Sequence, residues 1–233
     1  MNKLYKVAML ATLGLASITT SQAAYNNDLL VGFTTQSGTD LVYDLGSAAN
    51  VFNGTQTTWD LSAALTAAGL SGSLSSVQWG VVGDASVVGV RTSWLTFAGE
   101  TPNPVPNRAA FNNIDSADAT IASSLSGGLG TYGTPDSSVT YSWNGETALG
   151  GSALGGAFSA VSQNPNLVGL TTGAFWQQIA NGSSPTLMGS FTLGSDSILT
   201  FAPVPEPTTT ALMAAGGGLL MLIGRNKLGR KQS

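Results

Sequence analysis

The sequence predicts a mainly β protein: a sandwich or jelly-roll-like body with a few short peripheral helices, an N-terminal signal peptide and a C-terminal transmembrane helix. Three observations carry this. Apolar and polar residues alternate in short runs through residues 24–203. Glycine-rich turns separate those runs, the chain holding 30 glycines in 233 residues. Charge is segregated, with only Arg91 and Arg108 as basic residues between 24 and 203 and the other Lys and Arg gathered at the two ends.

The N-terminal stretch reads as a handling signal. Lys3 and Lys6 precede a mostly apolar run over residues 7–18, and Ser21-Gln22-Ala23 places small residues at −3 and −1. This is a signal peptide over residues 1–23, cleaved after Ala23. The apolar run is too short for a spanning helix, which needs about 20 residues.

The body, residues 24–203, opens with Leu29, Val31 and Phe33 on one strand face and continues with Leu41, Tyr43 and Leu45. Asp60 caps a helix in which Leu61, Ala64, Leu65 and Ala68 share a face and Gly69 ends the turn. Val77, Trp79 and Val81 form another strand face. Val88, Val90, Thr92 and Trp94 form the next, with Arg91 opposite. A proline-rich loop over 102–106 leads to a second helix, to about Leu125, that carries Phe111, Ile114, Ala117 and Ile121 on one side and breaks near Asp115-Ser116. Val139, Tyr141 and Trp143 alternate ahead of Asn144-Gly145, a hairpin signal. A short helical turn is expected over 174–180. Leu187, Gly189, Phe191 and Leu193 then turn through Gly194-Ser195-Asp196-Ser197 into a last strand over 198–201. A body of this size buries enough surface to fold without staples.

Composition excludes several chemistries. The chain has no cysteine and no histidine, which removes disulfides, the usual zinc and haem ligands, and Cys-His or Ser-His-Asp catalysis. The body is acidic and lysine-free, so it repels phosphate backbones and is not expected to bind nucleic acid. Its only glutamates, Glu100 and Glu146, read as ordinary solvated positions rather than a glycosidase pair. Asp115 with Asp118, or Asp40 with Asp44, were the acids to weigh for calcium; Asp40 and Asp44 read more simply as a solvent face, and no calcium-loop motif is present. Trp59, Trp79, Trp94, Trp143 and Trp176 read first as core. An exposed one among them would stack on sugar rings. The expectation is a non-enzymatic body with no catalytic residue, no metal and no cofactor.

The C-terminal stretch, residues 204–233, is a second handling signal. Val204-Pro205-Glu206-Pro207 follows a strand. Residues 208–224 carry no charge up to Ile223 and are apolar on either side of Gly216-Gly217-Gly218. Arg225, Lys227, Arg230 and Lys231 come next. The composition predicts a stop-transfer helix over 208–224, held by a cytoplasmic basic tail over 225–233. It is short: 16 uncharged residues rise about 24 Å against the roughly 30 Å hydrocarbon core.

The order of motif, apolar stretch and basic tail resembles the PEP-CTERM sorting signal. It departs from that pattern in its tail, which is interrupted by Asn226, Leu228 and Gly229. The fragments at 28–33, 44–48, 77–83 and 189–193 are also similar to passenger domains that carry this signal. The resemblance implies export through the Sec translocon, removal of the leader by signal peptidase, and passage through a single-pass inner-membrane intermediate. It further implies recognition of Pro205, Glu206 and Pro207 by an exosortase-type membrane protease. The destination it implies is the cell surface or matrix of a Gram-negative bacterium, in association with exopolysaccharide or biofilm. A carbohydrate-binding module is the alternative, and a glycoside hydrolase the third reading.

Overall fold

The computed structural model describes residues 27–87, 90–98, 101–102, 104, 108–125, 129–139, 142–147 and 165–204. The chain runs through β1 (Asp28–Thr34), β2 (Leu41–Ser47), α1 (Ala48–Phe52), β3 (Thr58–Asp60), α2 (Ser62–Ala67), β4 (Gln78–Val87) and β5 (Val90–Phe97). It continues through α3 (Arg108–Ala122), β6 (Tyr132–Gly133), α4 (Trp143–Thr147), β7 (Leu167–Val168), β8 (Thr172–Ile179), β9 (Thr186–Leu193) and β10 (Ile198–Pro203). All ten strands join one sheet in the order β3-β10-β9-β8-β5-β4-β1-β2-β6, with β7 beside β4.

The sandwich or jelly-roll expectation is therefore corrected. The alternating strands are present, but they pair antiparallel into a single sheet curled as a half-barrel, not two stacked layers. The physical reason lies in what covers each face. On one face Leu29, Val31, Phe33, Trp79, Phe175 and Phe191 pack with α1 and α2 through Val51, Ala64 and Leu65. On the other, Leu30, Val42, Val82 and Leu95 pack with α3 through Phe111, Ile114 and Ile121. Helices supply the second and third layers, so no second sheet is needed.

The anchoring expectation is corrected as well. Among the described residues no helix is long and apolar enough to cross a membrane. The stretch given that role, 208–224, lies outside the described residues, as does its tail of Arg225, Lys227, Arg230 and Lys231. The single-pass inner-membrane intermediate thus has no helix in the described structure to carry it. The signal-cleavage position, Ala23, also lies outside.

Three local expectations give way to tertiary context. Residues 174–180 are not a helical turn: they fall almost wholly within β8, because Phe175 completes the aromatic core while Trp176 takes the other face. Asn144-Gly145 is not a hairpin turn but the middle of α4, whose first turn is held by Asp40: the Asn144 N–H donates to Asp40 Oδ2 at 2.6 Å. The helix around Asp115-Ser116 does not break; α3 runs through it.

Close approach dictates the glycine at position 32 most strongly. Gly32 lies between Val31 and Phe33 and turns its missing side chain toward Trp143, whose ring rests on the β1 backbone. Trp143 is fully buried, and its indole N–H donates to Asn166 Oδ1 at 2.7 Å.

Candidate functional site

Two places outside the apolar core carry chemistry. The first lies beneath α3. That helix presents Phe111, Ile114, Ala117, Ile121 and Ala122 to the sheet, and Asp118 falls inside the same stripe, four residues after Ile114. Asp118 is 3% exposed, and neither carboxylate oxygen has a hydrogen-bond partner. Burial and the neighbouring charges of Asp84, Asp115 and Glu146 hold its pKa well above the usual carboxylate range.

Asp84, on β4, is buried and hydrogen-bonded to Asp115, one turn before Asp118 on α3. Desolvation first, then that hydrogen bond and the Asp115 charge, push Asp84 up to about 8; Arg91 opposes them. Glu146, on α4, is half-buried and pushed up to about 7 by desolvation. It is therefore not the solvated turn residue the sequence suggested. Its expected counterpart, Glu100, lies outside the described residues.

The cation at this site is already engaged. Arg91 Nη1 donates to Asn112 Oδ1, and its guanidinium lies over the Phe111 ring, 5.5 Å from the centroid. Asp115 and Asp118, weighed from the sequence as a calcium pair, lie within electrostatic reach of one another and of Asp84, and Glu146 acts on Asp118 as well. Among the described residues, however, no group of three or more His, Cys, Asp or Glu side chains is placed to hold a metal ion.

The other weighed pair is buried rather than solvated. Asp40 is sealed between the β1–β2 connection and α4, and burial raises its pKa against the hydrogen bonds that lower it. Asp44 accepts the Gly46 N–H at 2.6 Å, and desolvation pushes it up to about 6. Asp44 serves a local backbone group and Asp40 one on α4, both in the protein interior.

The second place is the partly exposed outer face of β3, β10, β9 and β8. Cross-strand register puts Thr58, Thr200, Thr192 and Thr172 side by side on four adjacent strands. Strand spacing makes this a row of about 14 Å. Thr172 and Thr192 hydroxyls meet at 2.8 Å. The next row holds Ala202, Ser190 and Ala174. A β-bulge at Met188 then shifts the register by one residue and brings Leu187 onto this face beside Trp176. Leu187 is 41% exposed, although its alternation with Phe191 and Leu193 reads as core in the sequence. None of these side chains is charged.

The tryptophans divide accordingly. Trp59, Trp79, Trp94 and Trp143 are buried; Trp176 is only partly so. Of the sorting residues, Val204 is exposed and its N–H donates to Met188 O at 3.0 Å. Pro205, Glu206 and Pro207 lie outside the described residues.

Among known proteins, no family model, no curated protein and no solved structure matches this chain.

Proposed function

We propose that this chain is an exported, non-catalytic matrix protein, delivered and trimmed through its Val204–Pro207 motif and associated with exopolysaccharide. The observation that supports this most is the place where the last described strand ends. β10 ends at Pro203, immediately before the motif. Strand directions alternate from β1 through β4, β5, β8 and β9 to β10, so the start of β1 and the end of β10 lie at the same end of the sheet. A protease acting after Val204 removes no strand and no core residue of the described structure. The partners in this reading are the Sec translocon, signal peptidase and an exosortase-type protease.

Mass spectrometry of the mature protein's two ends, with and without the sorting protease, tests it. The expected mature chain begins at Ala24 and ends near residues 204–207 only when the protease is present. A C-terminus at Ser233 in both strains refutes the proposal.

A second reading, a carbohydrate-binding module, is favoured by the threonine row and Trp176 on the outer face, which carries Asp60 at its β3 edge. A neutral glycan laid along it would meet hydroxyls from the threonine row, methyls from Ala202 and Ala174, and the Trp176 indole. Trp176→Ala is expected to lower retention on the producing strain's own polysaccharide at least tenfold while the unfolding transition stays cooperative. Undiminished retention by the folded variant counts against this face.

A further inference from the structure

We propose that the seating of α3 and α4 on the sheet is a proton-dependent latch: Asp118, buried in the apolar stripe of α3 with neither carboxyl oxygen partnered, lets the helices lie on the sheet only while it stays protonated, with Asp84, Asp115 and Glu146 as the charges around it.

The geometry requires this. Asp118 and Asp84 are buried, and the charges of Asp84 on β4, Asp115 on α3 and Glu146 on α4 all act on Asp118. A hydrogen bond between two carboxyl groups, as between Asp84 and Asp115, exists only when one of them carries a proton. Asp118 has a stronger requirement. It sits in the apolar stripe with both oxygens unpartnered, and an ionised carboxylate in that position is left without compensation. The charged groups acting on it are the three other acids. Arg91 on β5 acts on Asp84 and is itself engaged by Asn112 and Phe111. Four acids thus face one committed guanidinium, and protons are the only neutralising charge the described residues provide.

The sign of the pH dependence follows. In the unfolded chain these acids ionise near pH 4. In the folded protein Asp84 retains its proton up to about 8 and Glu146 to about 7, and Asp118 is raised as well. Between these limits the native state binds more protons than the unfolded one, so this stabilisation is complete at acidic pH and is lost as pH rises through about 7 to 8. What opens first is local: α3 and α4 touch the sheet through β1, β4 and β5, whereas β9 and β10 carry none of these acids. A protein secreted into an acidified matrix would hold the helices closed there and loosen them at alkaline pH.

Amide hydrogen exchange on the full chain at pH 5.5 and pH 9, corrected for intrinsic rates, tests the latch. The expected result is a loss of protection of at least tenfold in α3 at pH 9, with β9 and β10 unchanged. Asp118→Asn, which keeps the shape without the charge, should reduce that loss to less than threefold. Asp84→Asn serves the same purpose if the first variant does not fold. An equal pH response in α3 and β9–β10, or full retention of the α3 response in a folded neutral variant, overturns the proposal. Restoration of α3 protection at pH 9 by millimolar calcium overturns it too, by showing a cation site in place of a proton latch.

Discussion

Gly32→Ala should be among the most damaging single substitutions in this protein, although it adds one methyl group. A Cβ at Gly32 would lie 1.8 Å from Cδ2 and 1.9 Å from Cε3 of Trp143. No real contact is that short, so either the strand or the ring must move. The ring is held at both ends. Its N–H is bonded to Asn166, and the Asn166 side-chain amide donates to Thr147 Oγ1 at 3.1 Å on the same short helix. Asp40 fixes the first turn of that helix. Overpacking at such a site costs about 3 kcal/mol or more, a large share of the roughly 5–15 kcal/mol that holds a domain folded. Urea denaturation should show the unfolding free energy falling by that amount, read as a lower midpoint at unchanged m. The partner variant Trp143→Leu should be non-additive with it, since the smaller side chain removes the clash. A loss below 1 kcal/mol for Gly32→Ala would mean that α4 does not sit on β1.

Phe191→Ala should be comparably costly for the opposite reason. Phe191 is fully buried and sits at the centre of an aromatic cluster: edge-on to Phe175 at 4.9 Å, tilted against Phe201 at 4.8 Å, and 6.0 Å from Trp59. These residues come from β8, β10 and β3, so one ring ties together the strands at one end of the sheet order. Truncation leaves a cavity lined by rigid rings that collapse poorly, at about 3–5 kcal/mol. The check is again the denaturation midpoint. Phe191→Leu should recover most of the loss, because it refills the volume.

Much of the strand pattern was legible before any fold was known. Leu29, Val31 and Phe33, and likewise Val77, Trp79 and Val81, fall on one face because side chains alternate strictly along a strand. The last hairpin, 187–201, is signalled by its own turn residues, and only Leu187 departs from the expected face, displaced by the bulge at Met188. The helical stripe from Phe111 to Ile121 was equally clear, and its continuity through Asp115 was not, because the bond that employs Asp115 comes from Asp84 on β4. Asn144-Gly145 reads as a turn from its own preferences, yet becomes helix under a carboxylate 104 positions away. Part of the acid cluster had a signal as well: Asp118 stands four residues from Ile114 in an apolar stripe, where a carboxylate has no reason to be unless it does something. Asp84 and Glu146 had none, since their proximity to it is created by folding alone.

Composition and periodicity by themselves determined the strand-rich body, the chemistries excluded by the missing cysteine and histidine, and the order of motif, apolar stretch and basic tail at the C-terminus. Those are properties of neighbours along the chain. Whether the strands make one sheet or two, which acids are buried beneath α3, and which tryptophan is only partly buried were decided by tertiary structure. Each depends on pairing between residues far apart in sequence, and the energy of that pairing is set by which faces the helices cover.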